Sequence, residues 1–145
     1  MAAIHIDRLL ETAVQTGATD LFLMPERAPA LRVAGALRTL ETRALSADDV
    51  EHCVQAVAPD EARQRLAAGG TAEWAFSLDD KARFRVRCLR HRTGLELAFR
   101  CHPLPPRPLD ELALPLIVRA RCRRPHGLVL VVGRPAGARP PFLRP

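Results

Sequence analysis

Tyrosine is absent from this 145-residue chain, aromatic residues make up only 4% of it, and Trp74 is its one tryptophan. That scarcity argues against a nucleic-acid surface, because single strands are bound largely by stacking bases on exposed rings. Serine is as scarce. Ser46 reads as a helix cap and Ser77 as the end of a strand, and no histidine or carboxylate is spaced to activate either as a nucleophile. The longest uninterrupted apolar stretch, residues 128–132, is far shorter than the ~20 residues a membrane helix needs. His5, Asp7, Arg8 and Glu11 interrupt the first apolar pattern, which excludes a secretory signal. A soluble, cytoplasmic chain is expected. The four cysteines, at 53, 88, 101 and 122, contain no C-x-x-C pair and read as reduced, small, partly buried side chains. Cys88, His91, Cys101 and His102 could be read as a zinc set. The spacings of structural sites are missing, however, and strand neighbours such as Cys101 and His102 point to opposite faces. No metal site is expected.

What is present is a globular balance: 48% hydrophobic, 26% charged, mean hydropathy -0.05. The length suits one domain with a short appendage. Charge is divided unevenly. Residues 1–80 hold 7 arginines against 13 acids, net -6, whereas residues 81–145 hold 15 basic side chains against 3 acids, net +12. Lys81 is the single lysine beside 21 arginines, so a general preference for arginine contributes. The asymmetry nevertheless suggests a basic face that meets phosphate or an acidic partner.

Periodicity orders the first hundred residues. Ile4, Ile6, Leu9, Leu10, Ala13 and Val14 recur at helical spacing, with Gly17 as a stop. Residues 20–23 form a short strand, residues 24–29 a loop, and residues 31–33 and 36–40 two strands about a tight turn at Gly35. Ser46 followed by Asp49 predicts a capped helix whose apolar stripe is Val50, Cys53, Val54 and Val57. A second short helix starts at Pro59 and ends at Gly69 and Gly70. The period then changes to two. Trp74, Phe76 and Leu78 share one face, as do Phe84, Val86 and Cys88, then Leu95, Leu97, Phe99 and Cys101. Arg83, Arg85, Arg87 and Arg100 fall opposite them, giving an antiparallel meander whose open face is lined with arginine. Residues 103–108, rich in proline, read as a semi-rigid linker. Short helical stretches over 109–114 and 116–122 follow, and residues 127–133 read as a fully buried parallel strand.

Five motifs in order carry a resemblance. Residues 17–23 read Gly-Ala-Thr-Asp-Leu-Phe-Leu, residues 31–37 Leu-Arg-Val-Ala-Gly-Ala-Leu, residues 83–87 Arg-Phe-Arg-Val-Arg, residues 108–115 Pro-Leu-Asp-Glu-Leu-Ala-Leu-Pro, and residues 127–133 Gly-Leu-Val-Leu-Val-Val-Gly. Together they resemble the N-terminal half of the type IV pilus retraction (twitching motility) ATPases of the secretion-ATPase superfamily. The resemblance implies an α+β fold: a PAS-like domain with an antiparallel sheet and flanking helices over 1–102, and an interdomain linker over 103–115. Residues 116–145 would be the truncated start of a RecA-like motor. It also implies ATP and magnesium as cofactors of the full-length proteins and a hexameric ring. The implied partner is a pilus platform protein of the inner membrane, at which such a motor sits peripherally. Arg85 and Arg100 match the arginines that such a domain directs at the terminal phosphate, and Gly133 and Gly137 match the phosphate loop. The plainer reading makes both arginines solvated surface groups, pairing with Glu96 across the hairpin.

The departures from the pattern are informative. Phe22, Ala34 and Arg87 replace a histidine and two asparagines of the family motifs. After Gly133 the chain reads Arg-Pro-Ala-Gly-Ala-Arg-Pro-Pro, without the lysine and hydroxyl of a phosphate loop and with prolines where amide donors are needed. The family's acidic and histidine motifs lie past residue 145. ATP hydrolysis, and strong nucleotide binding, are not expected of this chain alone. The codons of the tail permit a shifted frame that would restore Gly-Lys-Ala-Thr-Thr, so a single-base loss near codon 133 is expected; the plainer reading is a tail that is merely rich in proline and arginine and disordered. A stand-alone, arginine-rich module that binds phosphate or a protein partner is the alternative; an interaction with nucleic acid is not favoured.

Overall fold

The computed structural model describes residues 5–105, 108, 111, 114–130 and 132. The chain divides into two compact units, Met1–Pro105 and Pro106–Pro145. In the first unit, helix α1 (Ile6–Gln15) precedes strands β1 (Asp20–Leu23), β2 (Ala30–Val33) and β3 (Ala36–Thr39). Helices α2 (Ala47–Val57) and α3 (Asp60–Ala67) lead to the long strands β4 (Ala72–Leu78), β5 (Ala82–His91) and β6 (Gly94–Pro103). All six strands join one antiparallel sheet in the order β3-β2-β1-β6-β5-β4. The expected α+β class and antiparallel meander are therefore present. The pairing of β1 with β6, which fuses the two local meanders, has no counterpart in the sequence pattern.

Alternation builds the core. Phe84, Val86 and Cys88 of β5 and Leu95, Leu97, Phe99 and Cys101 of β6 are buried on one face, with Leu21 and Leu23 of β1. Against that face lie Leu9, Leu10 and Ala13 of α1, Val50, Cys53, Val54 and Val57 of α2, and Ala62 and Leu66 of α3. Trp74 and Phe84 take the core positions expected of them; the Trp74 Nε1 is the one buried side-chain polar atom among the described residues without a hydrogen-bond partner. Burial pushes the Cys53 thiol up to about 11 and the Cys88 thiol up to about 12, so both stay protonated near neutrality. Cys122, in contrast to the partial burial expected of the cysteines, is exposed.

Two turns set the register of the strands. The β2–β3 hairpin uses a two-residue loop in which Ala34 (φ 49) and Gly35 (φ 84) both take positive φ, the geometry that matches the twist of paired strands. Glycine adopts it freely, whereas Ala34 carries a Cβ there at a cost of about 1 kcal/mol. Gly94 (φ 136), at the start of β6, is fixed more tightly. A Cβ there would lie 3.1 Å from the Pro25 Cγ and 3.4 Å from the Ala47 Cβ, so the β5–β6 turn closes directly onto the β1–β2 loop and the first residue of α2.

Helix α2 begins as its sequence requires. The Asp49 amide donates to the Ser46 Oγ at 3.1 Å and the Ser46 amide to the Asp49 Oδ2 at 2.7 Å, a complete capping box. Arg43 adds a two-pronged contact, its Nη1 donating to Asp49 Oδ2 at 2.6 Å and its Nη2 to Oδ1 at 2.8 Å. Hydrogen bonds from Arg43 and then from the Ser46 amide hold the Asp49 carboxyl well below the usual carboxylate range. A carboxyl depressed in the folded state contributes stability above its unfolded pKa and loses it as pH falls toward the folded value. The Asp49→Asn variant should be less stable than the parent by about 1 kcal/mol at neutral pH. Urea titrations at decreasing pH should show that gap shrinking below about pH 4. A gap independent of pH would contradict the assignment.

In the second unit, α4 (Leu116–Cys122) follows Pro115, as the break at that proline predicts, and none of its residues is buried. Much of the helical stretch expected over 109–114 lies outside the described residues. The fully buried strand expected over 127–133 is not found among the described residues 127–130 and 132. Leu128, Leu130 and Val132 are 83%, 77% and 92% exposed, and residues 127–130 pair with no strand. A parallel strand is stable only between neighbours that satisfy its backbone and cover both faces, and none pairs with it among the described residues.

Candidate functional site

The face of the sheet opposite the helices carries the polar members of each alternation. Arg83, Arg85 and Arg87 of β5 are exposed there, and Arg83 and Arg87 make no ion pair among the described residues. The register places a continuous row across four strands: Arg32 of β2 faces Asp20 of β1, Asp20 faces Arg100 of β6, and Arg100 faces Arg85 of β5. Directly opposed residues share a face, with about 5 Å between their Cβ atoms. The structure thus brings Arg85 and Arg100 side by side, although like charges directly opposite one another destabilise a sheet.

Each arginine of the row is anchored by a carboxylate. Arg100 Nε donates to Asp20 Oδ1 at 3.0 Å, and Arg32 Nε lies 3.5 Å from Asp20 Oδ2. Arg85 Nε donates to Glu73 of β4. Asp20 is only 7% exposed, and the Thr19 hydroxyl donates to its Oδ2 at 2.8 Å. The Arg32 guanidinium also lies over the Phe22 ring, 5.4 Å from its centroid, so Phe22 serves as a cation–π platform. Glu96, the acid expected to pair with Arg85 and Arg100, stands instead opposite Leu89 on β5, with His91 Nδ1 4.0 Å away. A pairing set by register overrides one suggested by proximity in sequence.

Asp20, Glu73 and Arg32 are absent from the sequence reading of the site. Asp20 and Phe22 alternate with Leu21 and Leu23, which is enough to assign Asp20 to the polar face. Its meeting with Arg100, 80 residues along, depends on the β1–β6 pairing. Gly133 and Gly137, the remaining candidates, lie outside the described residues. Among the described residues no group of three His, Cys, Asp or Glu side chains is placed to hold a metal ion, and no helix is long and apolar enough to cross a membrane.

No protein-family profile matches the chain. It is 32% identical over 137 residues to a twitching motility protein of Neisseria gonorrhoeae, covering 94% of this chain and 36% of that protein. It is 29% identical over 135 residues to the type IV pilus retraction ATPase PilT of Pseudomonas aeruginosa, covering 93% of this chain and 39% of that one. A crystal structure of the pilus retraction motor PilT with bound ADP superposes with a TM-score of 0.71 at 26% identity, over 83% of this chain and 36% of the motor. The similarity to pilus retraction ATPases read from the five motifs is therefore present in sequence and in fold. The chain spans little more than a third of the length of the relatives it matches.

Proposed function

We propose that this chain is the N-terminal part of a secretion-type ATPase of the pilus retraction kind and that its sheet presents Arg85 and Arg100 to the nucleotide of an assembled motor. The observation that carries the reading is the opposed pair itself. Two guanidinium groups are held side by side on a sheet face, with their terminal nitrogens unbonded among the described residues. Guanidinium forks match phosphate oxygens in charge and shape, and arginines that reach the transferred phosphate are a recurring part of phosphoryl-transfer sites. Residues 1–102 act in this reading as a PAS-like domain, residues 103–115 as a hinge, and residues 116–145 as the first piece of a RecA-like motor. Assembly as a hexameric ring, ATP with magnesium as cofactor, a cytoplasmic location and a platform protein at the inner membrane belong to the same proposal.

The two parts of the nucleotide site differ in how well they fit. The sheet face offers free guanidinium nitrogens, whereas residues 133–141 lack the lysine and hydroxyl that a phosphate loop needs. The chain therefore supplies arginines toward a nucleotide and does not itself complete the pocket. The test is a graft: residues 1–115 replace the matching segment of Pseudomonas PilT, and ATP turnover is measured with and without Arg85→Ala and Arg100→Ala. Turnover that depends on both arginines is expected. Turnover indifferent to them would overturn the reading and leave the stand-alone anion-binding module as the better account.

A further inference from the structure

The arginine–carboxylate pairs of the described residues fall into two kinds. Away from the row, the contact is made through the terminal nitrogens: Arg43 to Asp49 at 2.6 Å through Nη1, Arg65 to Glu61 at 2.7 Å through Nη2, and Arg63 to Asp60 through Nη2. Within the row, all three arginines are approached through Nε: Arg32 and Arg100 by Asp20, Arg85 by Glu73. A contact at Nε fixes the base of the guanidinium and leaves the terminal nitrogens to bond elsewhere. Arg100 accordingly keeps a side chain that is 61% exposed while its inner nitrogen is tied to a nearly buried carboxylate. A pair serving stability alone gains most from the two-pronged geometry of Arg43 and Asp49; the row forgoes it three times.

We propose that Asp20 is the positioning residue of a three-arginine site for polyphosphate oxygens, in which Arg32 acts beside Arg100 and Arg85. This rests on the reading of the face as a phosphate site and adds to it one member, Arg32, and one anchor, Asp20. Arg32 and Arg100 flank Asp20 from neighbouring strands, two strand spacings or about 10 Å apart at the backbone. One carboxylate thereby sets the direction of both side chains. Phe22 beneath Arg32 and Thr19 beside Asp20 hold that arrangement from below and from the side. Holding the forks in place before the ligand arrives lowers the ordering cost of binding.

The sign of a charge effect separates positioning from simple electrostatics. Asp20→Ala removes a negative charge close to an anion site, so a purely electrostatic role predicts tripolyphosphate binding about threefold tighter. Positioning predicts binding at least about threefold weaker, because two forks lose their anchor; Asp20→Asn, which keeps an acceptor for Nε, should bind at least as well as the parent. The measurement is a titration of the full chain with inorganic tripolyphosphate, followed by the arginine Nε–H resonances. Tighter or unchanged binding by Asp20→Ala would overturn the proposal. Should that variant fail to fold, Arg32→Gln is compared with Arg38→Gln, an equal change of charge on β3 outside the row. Weakening confined to Arg32→Gln supports the site, and equal weakening by both rejects it. If the parent binds no tripolyphosphate, the phosphate reading of the face fails. Positioning is then judged from the order of the Arg100 Nε–H group in the free chain: rigid in the parent and mobile in Asp20→Ala upholds it, and equal mobility in both rejects it.

Discussion

Replacing Phe99 by alanine should lower the stability of the sheet unit by about 3–5 kcal/mol, as expected for removing a large aromatic side chain from a packed core. Phe99 is fully buried on β6 and faces Val86 of β5 on one side and Leu21 of β1 on the other. It also meets Phe84 edge-on, with ring centroids 6.2 Å apart and planes at 87°, an arrangement worth about 0.5–1.5 kcal/mol beyond burial alone. Its loss would open a void where the two meanders join. Against a total stability of about 5–15 kcal/mol, a change of that size leaves the unit marginal. Urea unfolding should show a lower midpoint with an unchanged slope. Leu37→Ala, at an exposed position of the edge strand β3, should change stability by under about 0.5 kcal/mol. Comparable losses at the two positions would mean that the core is not centred on the β1–β6–β5 junction.

That junction also marks how far the sequence could be read. Local patterns sufficed for most elements: helical spacing for α1 and α2, alternation for β4, β5 and β6, and Ser46 with Asp49 for the start of α2. Each rests on interactions within a few residues or across one tight turn, so periodicity reports them. The pairing of Asp20 with Arg100 joins segments 80 residues apart, and nothing in a single strand names its distant neighbour. Arg85 and Arg100 could be assigned to the polar face from alternation, but their anchors could not be chosen. Glu96 was the nearer acid in sequence, while Glu73 and Asp20 are the nearer acids in the sheet. The strand expected over 127–133 is not found among the described residues 127–130 and 132 for the complementary reason. Its composition states what the segment prefers as a neighbour and says nothing about whether one is at hand.

In the grafted motor, Arg100→Ala should reduce ATP turnover by roughly 10²–10³-fold, the range measured when one preorganised donor to a transition-state charge is removed. Arg100 is the better anchored of the pair, tied to a nearly buried aspartate, whereas the side chains of both Arg85 and its partner Glu73 are more open to water. Arg85→Ala should therefore cost less than Arg100→Ala, and the double variant less than the product of the two, since neighbours in one site are not additive. Arg83→Ala removes the same charge from the same strand and face, opposite Ser77 and His102 and away from the row, so it should leave turnover within about twofold of the graft. Equal losses at Arg83, Arg85 and Arg100 would reduce the face to a diffuse positive potential. Losses confined to Arg85 and Arg100 would locate the effect in their geometry.

The most direct measurement needs only the chain itself: its arginine Nε–H resonances followed while inorganic tripolyphosphate is added at two salt concentrations. Shifts concentrated on Arg32, Arg85 and Arg100 are expected, with Arg83 little changed, and an affinity that falls as salt screens the contacts. Shifts spread evenly over the arginines of β5, or none on the row at millimolar tripolyphosphate, would contradict the three-arginine site.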